Sequence, residues 1–228
     1  VSSRFHTKGT NKTIRVGDRL CADAKLPFSQ GYWPAMWFMG EGDEMTRTGA
    51  DQWEWPQIGE IDMVEITTSS GAAYDHSHFH YRTKGAKADF PIGGQNPPDE
   101  YTRWCIGLYE ERVVVTRQAI DGIGGLPISG STLTVRSNPW PDNPDMQYKR
   151  MDWFFIVNVA IGGTLGGDIS SLQSFAAEIG NVKKYTSHKP EAYPLDKCVE
   201  KGRCAHFNYH VAQPDPFRAY SYWVMVQH

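Results

Sequence analysis

The chain reads as an all-β protein, a sandwich of two antiparallel sheets, and three observations carry that reading. Its apolar residues fall in many short runs, separated by turn signals such as Gly93-Gly94, Pro97-Pro98 and Asp121-Gly122. Glycine (22) and proline (14) are frequent and aromatic residues make up 13% of the chain, a composition that suits strands joined by tight turns. No long stretch carries the period of an amphipathic helix. At 228 residues the chain can bury one large core, so a single domain over 1–228 is expected. A net charge of −3 and a pI near 6.2 leave no basic stripe to neutralise phosphates, which argues against nucleic acid as a partner. The apolar runs are too short to span a membrane as helices, and no membrane partner is expected.

In chain order, the first strongly patterned strand is 31–40, Gly-Tyr-Trp-Pro-Ala-Met-Trp-Phe-Met-Gly, in which Trp33 and Trp37 share one face at even spacing. Segment 53–58 adds Trp53 and Trp55 and runs directly into the next strand. Four of the eight tryptophans therefore fall within 23 residues. Flat aromatic faces stack on the apolar faces of sugar rings, and they also fill β-cores; the spacing alone leaves both readings open.

The strand at 59–65, Gly-Glu-Ile-Asp-Met-Val-Glu, holds three carboxylates within six positions of an apolar run. Alternation puts Glu60 and Asp62 on one face, with Ile61 and Met63 on the other. Glu65, at an odd offset, faces the wrong way unless one extra residue around Met63 and Val64 is absorbed as a β-bulge. With that bulge, Glu60 and Glu65 flank Asp62 in one line. Two carboxyl groups about 5–5.5 Å apart are what double-displacement glycoside hydrolysis requires. Three like charges this close push their pKa values apart, with at least one proton held in common. The roles expected are Glu60 as ionised nucleophile, Glu65 as general acid and then base, and Asp62 as the middle group that hydrogen-bonds Glu60 and tunes both. The bland alternative is an edge strand with solvated acids.

Segment 74–81, Tyr-Asp-His-Ser-His-Phe-His-Tyr, alternates cleanly, so His76, His78 and His80 share one strand face. Such a triplet matches metal-ligand spacing, but hydrolysis by two carboxylates needs no metal and none is assigned. His76 and His78 are read as rim or surface residues.

Cys21, Cys105, Cys198 and Cys204 allow three full pairings. Cys198 and Cys204 bracket a short loop and are the easiest pair to close, which would leave Cys21 with Cys105; free core thiols are the other reading. Disulfides and the acceptor tripeptide Asn11-Lys12-Thr13 fit a secreted protein.

Taken together, these segments resemble glycoside hydrolase family 16, in particular its laminarinase-like endo-β-1,3-glucanases. Segment 2–9 is similar to the family's opening T-S-x-R-I-x-T-K-G strand, and 24–27 to its A-K-L-P segment. Further matches are 31–40 to G-x-W-P-A-x-W-x-x-G, 55–65 to W-P-x-x-G-E-I-D-x-x-E, and 155–167 to the late strand and glycine-rich loop. The bulged acid spacing is that of the laminarinase-like branch. The resemblance implies a jelly-roll sandwich with an open concave substrate cleft, and retaining chemistry by Glu60, Asp62 and Glu65. It implies substrate binding by Trp33, Trp37, Trp55, His80, Asn158 and Arg4, with Trp55 beside the scissile bond and His80 near the acid/base. The expected partner is a β-glucan polysaccharide, the expected state a monomer, and the expected location extracellular.

The chain also departs from the family. It opens where relatives have about 40 residues behind them, so early strands of the sandwich are expected to be missing. Segment 168–219 is much longer than the usual link to the last strand; it is expected to pack over the sheet as a cap on the cleft or as cover for exposed edges. Ser221 stands where the family has an aspartate that helps hold a structural calcium, so no cofactor is expected. Leu165 replaces a common tryptophan. Mixed-linkage glucans and the galactans agar and carrageenan are the alternative substrates, since Val64-Glu65-Ile66-Thr67 has some character of the carrageenan branch. The Trp-Pro-x-x-Gly spacer before Glu60 favours laminarin. The alternative outside the enzymes is a non-catalytic glucan-recognition protein, a class that typically lacks the acids retained here.

Overall fold

The structure, a computed structural model, describes residues 3–41, 55–56, 58–83, 86–95, 98–141, 148–170, 172, 176–186 and 222–225. In chain order its strands are β1 (Ser3–His6), β2 (Thr13–Ile14), β3 (Asp18–Lys25), β4 (Tyr32–Glu41), β5 (Glu60–Thr67), β6 (Tyr74–Thr83) and β7 (Ala86–Gln95). They continue as β8 (Thr102–Leu108), β9 (Arg112–Ala119), β10 (Thr134–Pro139), β11 (Asp152–Ile161), β12 (Ala176–Thr186) and β13 (Tyr222–Met225). Helix among the described residues is confined to a 3-10 turn at Tyr148–Arg150 and one α-turn, α1, at Gly163–Gly166.

The strands form two antiparallel sheets, a jelly-roll sandwich as expected. One sheet runs β1-β11-β4-β5-β6-β7, with β2 also pairing β11, and the other runs β10-β9-β8-β3-β12-β13. Every strand that carries a predicted site residue (β1, β4, β5, β6 and β11) belongs to the first sheet, which we call the acid sheet. The β4 burial pattern shows why the layers form. Met36 and Phe38 are fully buried while Trp33, Trp37 and Met39 are only partly covered, so alternate side chains enter the core and the others face outward.

The core under the acid sheet is dense in aromatics. Phe79 on β6 sits among Tyr148 at 5.0 Å, Trp153 at 5.6 Å, and Tyr81 and Trp140 at 6.0 Å, all in edge-to-face contact. Burying an aromatic side chain of this size contributes on the order of 3 kcal/mol, so this cluster is a firm floor for the β5–β6 pair. It also fixes the entry to β5. Gly59 has φ of 76°, and a Cβ there would lie 2.8 Å from Trp153 and 2.9 Å from Tyr148, so position 59 needs glycine for both conformation and space.

Cys21 and Cys105 face each other across β3 and β8 and are disulfide-bonded. Cys198 and Cys204 lie outside the described residues. Within the long 168–219 segment, Ala176–Thr186 is an integral strand, β12, paired on one side with β3 and on the other with β13. Residues 187–221, which include Ser221, lie outside the described residues, as does Trp53.

Candidate active site

The acids are placed by register. Across β5 and β6, Glu60 faces His80, Asp62 faces His78 and Glu65 faces His76. Between the last two pairs, β5 spends two residues, Met63 and Val64, where β6 spends one, Ser77. This is the bulge the sequence predicts, at the predicted place. Met63 and Val64 are both fully buried, and Ile66 follows them into the core. Glu65 is thereby returned to the outer face with Glu60 and Asp62.

A bulge interrupts the ladder and leaves backbone groups to be satisfied by other means. Here the Ser77 hydroxyl donates to the Met63 carbonyl at 2.8 Å. Ser77 Oγ in turn accepts from Arg136 Nη1 at 3.0 Å, and Arg136 also pairs with the fully buried Asp75. Arg117 is the second cation on Asp75, and both guanidiniums lie over the buried Trp104 ring, at 5.6 and 5.8 Å. Arg117, Arg136 and Trp104 come from β9, β10 and β8 of the opposite sheet, so a buried ionic cluster ties that sheet to the bulge. This cluster was not anticipated from the sequence. Its signal was available: if the histidines of 74–81 share the outer face, Asp75 and Ser77 must point inward with Phe79, and a buried carboxylate needs cationic partners.

The predicted site residues lie on the acid sheet except Trp55, which stands in the turn before β5, and indole N–H groups do much of the holding. Trp55 Nε1 donates to Glu60 Oε2 at 2.9 Å, and Trp33 Nε1 donates to Glu65 Oε1 at 2.8 Å. Trp37 Nε1 donates to Asn158 Oδ1 at 2.6 Å, and the Arg4 guanidinium lies 5.0 Å over the Trp37 ring. Trp33 and Trp37 are thus both outer-face residues, each part-buried, with Trp33 tied to the acids and Trp37 forming a separate Arg4–Trp37–Asn158 group on β1, β4 and β11. Trp55, whose peptide to Pro56 is cis, stays 43% exposed, which leaves a ring face open beside Glu60. The loop around α1 is drawn close: Leu165 O accepts from Thr68 N and Ser69 N, and Thr68 Oγ1 donates to Gly166 O.

The electrostatics correct one assignment. The carboxyl of Glu60 is raised from its ordinary 4.5 to about 8, first by burial and next by the charge of Asp62; His80 and the Trp55 N–H oppose the rise, and Glu65 adds the smallest push upward. One carboxyl of the cluster therefore holds a proton well above its ordinary range. In the resting protein, however, it resides on Glu60, which was expected to be ionised. Asp62 itself is 4% exposed and makes no hydrogen bond to Glu60 among the described contacts. Its Oδ2 stands 3.0 Å from His80 Nε2, within ion-pair reach, yet no donor among the described residues points at it along a hydrogen-bond direction. His80 Nε2 is 3.8 Å from Glu60 Oε1.

The other two histidines also differ from expectation. They are half-buried within a continuous strip of rings: Tyr74 to His76 at 4.6 Å, His76 to His78 at 5.2 Å, His78 to His80 at 5.6 Å and His80 to Trp55 at 6.2 Å. Cross-strand pairing opposite Glu65 and Asp62 places them beside the acids, away from the rim. His76 is lowered from 6.5 to about 4, chiefly by burial and then by His78 and Arg136. Its Nε2 lies 2.9 Å from Thr67 Oγ1.

The bulged strand carries its acid triad on the outer face of a jelly-roll sandwich, and comparison with solved structures gives the same fold. A family 16 endo-glucanase from Bacteroides ovatus superposes with a TM-score of 0.53 at 22% identity, over 75% of this chain and 66% of that one. LamAcat from Zobellia galactanivorans gives 0.50 at 21% identity, over 74% and 62%. A mutant of SCLam, a non-specific endo-beta-1,3(4)-glucanase of the same family, gives 0.52 at 18% identity, over 77% and 61%. This chain therefore spans just under two thirds of the length of these enzymes. No protein-family profile matches the chain. No curated protein matches it in sequence either.

Proposed function

We propose that the chain is a retaining endo-glycoside hydrolase of family 16, of the laminarinase-like branch, that cleaves β-1,3-glucan by double displacement. The observation that carries this reading is the Met63–Val64 bulge, which sets Glu60, Asp62 and Glu65 at successive cross-strand positions on one face. A solvated edge strand would have no need to break its ladder for that purpose.

In the reacting form Glu60 is a carboxylate, with the Trp55 N–H and His80 against its charge. Glu60 attacks the anomeric carbon while Glu65, held by Trp33, protonates the departing glycosidic oxygen. The bond from sugar to leaving group breaks as the glycosyl ester forms. Glu65, now a base, takes a proton from water, and the attack of that water frees Glu60 and restores the β configuration. The exposed Trp55 ring stacks on a sugar next to the scissile bond, and Arg4, Trp37 and Asn158 bind glucan further along the sheet.

The spacer Trp55-Pro56-Gln57-Ile58-Gly59 supports β-1,3-glucan over mixed-linkage glucan or a galactan, and the retained acids support an enzyme over a glucan-recognition protein. The Cys21–Cys105 bridge supports an extracellular site of action. A polysaccharide panel scored for new reducing ends tests the substrate: laminarin is cleaved and agarose is not. Time-resolved NMR of the first sugar released shows the β anomer; an inverted product would sink the mechanism.

A further inference from the structure

Strand β6 presents His78 and His80 two residues apart on the outer face, and Asp62 lies directly across from His78 on β5. One ligating atom from each of Asp62, His78 and His80 falls within 4.8 Å of the others. We propose that these three residues bind a divalent transition-metal ion of the zinc type, and that the bound ion blocks the acid triad.

Three features point to an ion rather than to a chance cluster. The donor set, two imidazoles and one carboxylate on neighbouring strands, suits a borderline cation such as Zn2+ and leaves a fourth position open. The spacing is close to what coordination demands. Ligands bonded at about 2.0–2.1 Å in a tetrahedron stand about 3.3–3.4 Å apart, and Asp62 Oδ2 and His80 Nε2 are already 3.0 Å apart. The His78 ligand atom lies within 4.8 Å of both. Lastly, Asp62 Oδ2 is a buried carboxylate oxygen with no hydrogen-bond donor among the described residues. An oxygen in that state is costly to keep out of water, and a cation offsets the cost directly. His76 stays outside the set because its Nε2 is engaged with Thr67. Glu60 Oε1, 3.8 Å from His80 Nε2, is near enough to take the fourth position.

The inhibitory part rests on the proposed hydrolase reading; binding of the ion does not. An ion on Asp62 and His80, with Glu60 within reach of its fourth position, ties up the groups around the proposed nucleophile, so a loaded chain does not hydrolyse. The experiment is a calorimetric titration of the full, chelator-treated chain with Zn2+, run in parallel with His78→Ala. The expected result is a single Zn2+ per chain, weakened by at least about 10–100-fold in His78→Ala. Metal-free laminarin hydrolysis is retained in that variant, and its inhibition by Zn2+ is relieved by the same factor. Zn2+ binding that is absent, or that is unchanged in His78→Ala, overturns the proposal. Zn2+ binding that depends on His78 in a chain that cleaves no polysaccharide supports the ion site while removing the hydrolase reading.

Discussion

The two faces of the β5–β6 pair handle charge in opposite ways. On the inner face a single fully buried carboxylate, Asp75, is matched by two guanidiniums, one of which also donates to the Ser77 hydroxyl. On the outer face three carboxylates crowd together, one of them held protonated to about pH 8, with one oxygen of Asp62 lacking a hydrogen-bond donor among the described residues. Inside, opposite charges are paired and the structure is held. Outside, like charges are pressed together against their preference, an imbalance that suits the catalytic role proposed for them. Ser77 joins the two, because it faces the inner cluster and holds the carbonyl of the bulge that exposes Glu65.

The largest effect should come from the outer face. On the proposed function, Glu60→Gln and Glu65→Gln should each lower hydrolysis of laminarin by about 10⁴-fold or more, measured as initial rates of reducing-end release, while the fold is retained. A residual rate near that of the parent would end the assignment of these two roles.

The inner face should respond in stability first. Arg136→Met leaves Asp75 with one cation and Ser77 Oγ without its donor, and should cost about 3–5 kcal/mol in urea unfolding. Were the loss under about 1 kcal/mol, the inner cluster would be incidental to the fold.

The two faces should also separate by pH. The folded-state value for Glu60 lies above its ordinary 4.5, so the stability due to its proton is full below 4.5 and is lost as pH rises to about 8. Glu60→Gln carries no such charge, so it should match the parent near pH 5 and exceed it by about 1–3 kcal/mol at pH 9. His76 acts at the other end. Its depressed value, about 4 against 6.5, means that stability falls as pH drops through that window, and His76→Gln should flatten that limb. Unfolding curves at a series of pH values read both slopes.

A smaller change tests the joint between the faces. Ser77→Ala leaves the Met63 carbonyl unpaired and should cost about 1–3 kcal/mol. If Ser77 positions the bulge and Glu65 is the proposed acid, the variant should also lose kcat on laminarin and lose much less on an aryl glycoside with a good leaving group. Equal losses on both substrates would make Ser77 structural only. The smallest effect belongs to Trp55→Phe, which removes one hydrogen bond worth about 1 kcal/mol and should raise the Glu60 titration further, read by NMR of labelled glutamate.

The features that were legible in advance were local ones. Alternation within 59–65 already shows that Glu65 is out of phase, and only an extra residue near Met63 and Val64 repairs it. The even spacing of Trp33 and Trp37 correctly puts them on one face, although their N–H groups prove as important as their rings. The placement of His76 and His78 at the rim failed because strand spacing says which face a residue takes and nothing about which strand lies opposite.

What the sequence determined by itself was periodicity: an all-β chain, the acid triad on one strand face, and the bulge, each set by residues a few positions apart. Tertiary structure decided the pairings and the protons. Asp75 finds its cations 42 and 61 residues away, a match that no local pattern specifies. Glu60 keeps its proton because packing removes water from a carboxylate already facing another, and desolvation is a property of the assembled sandwich rather than of any segment.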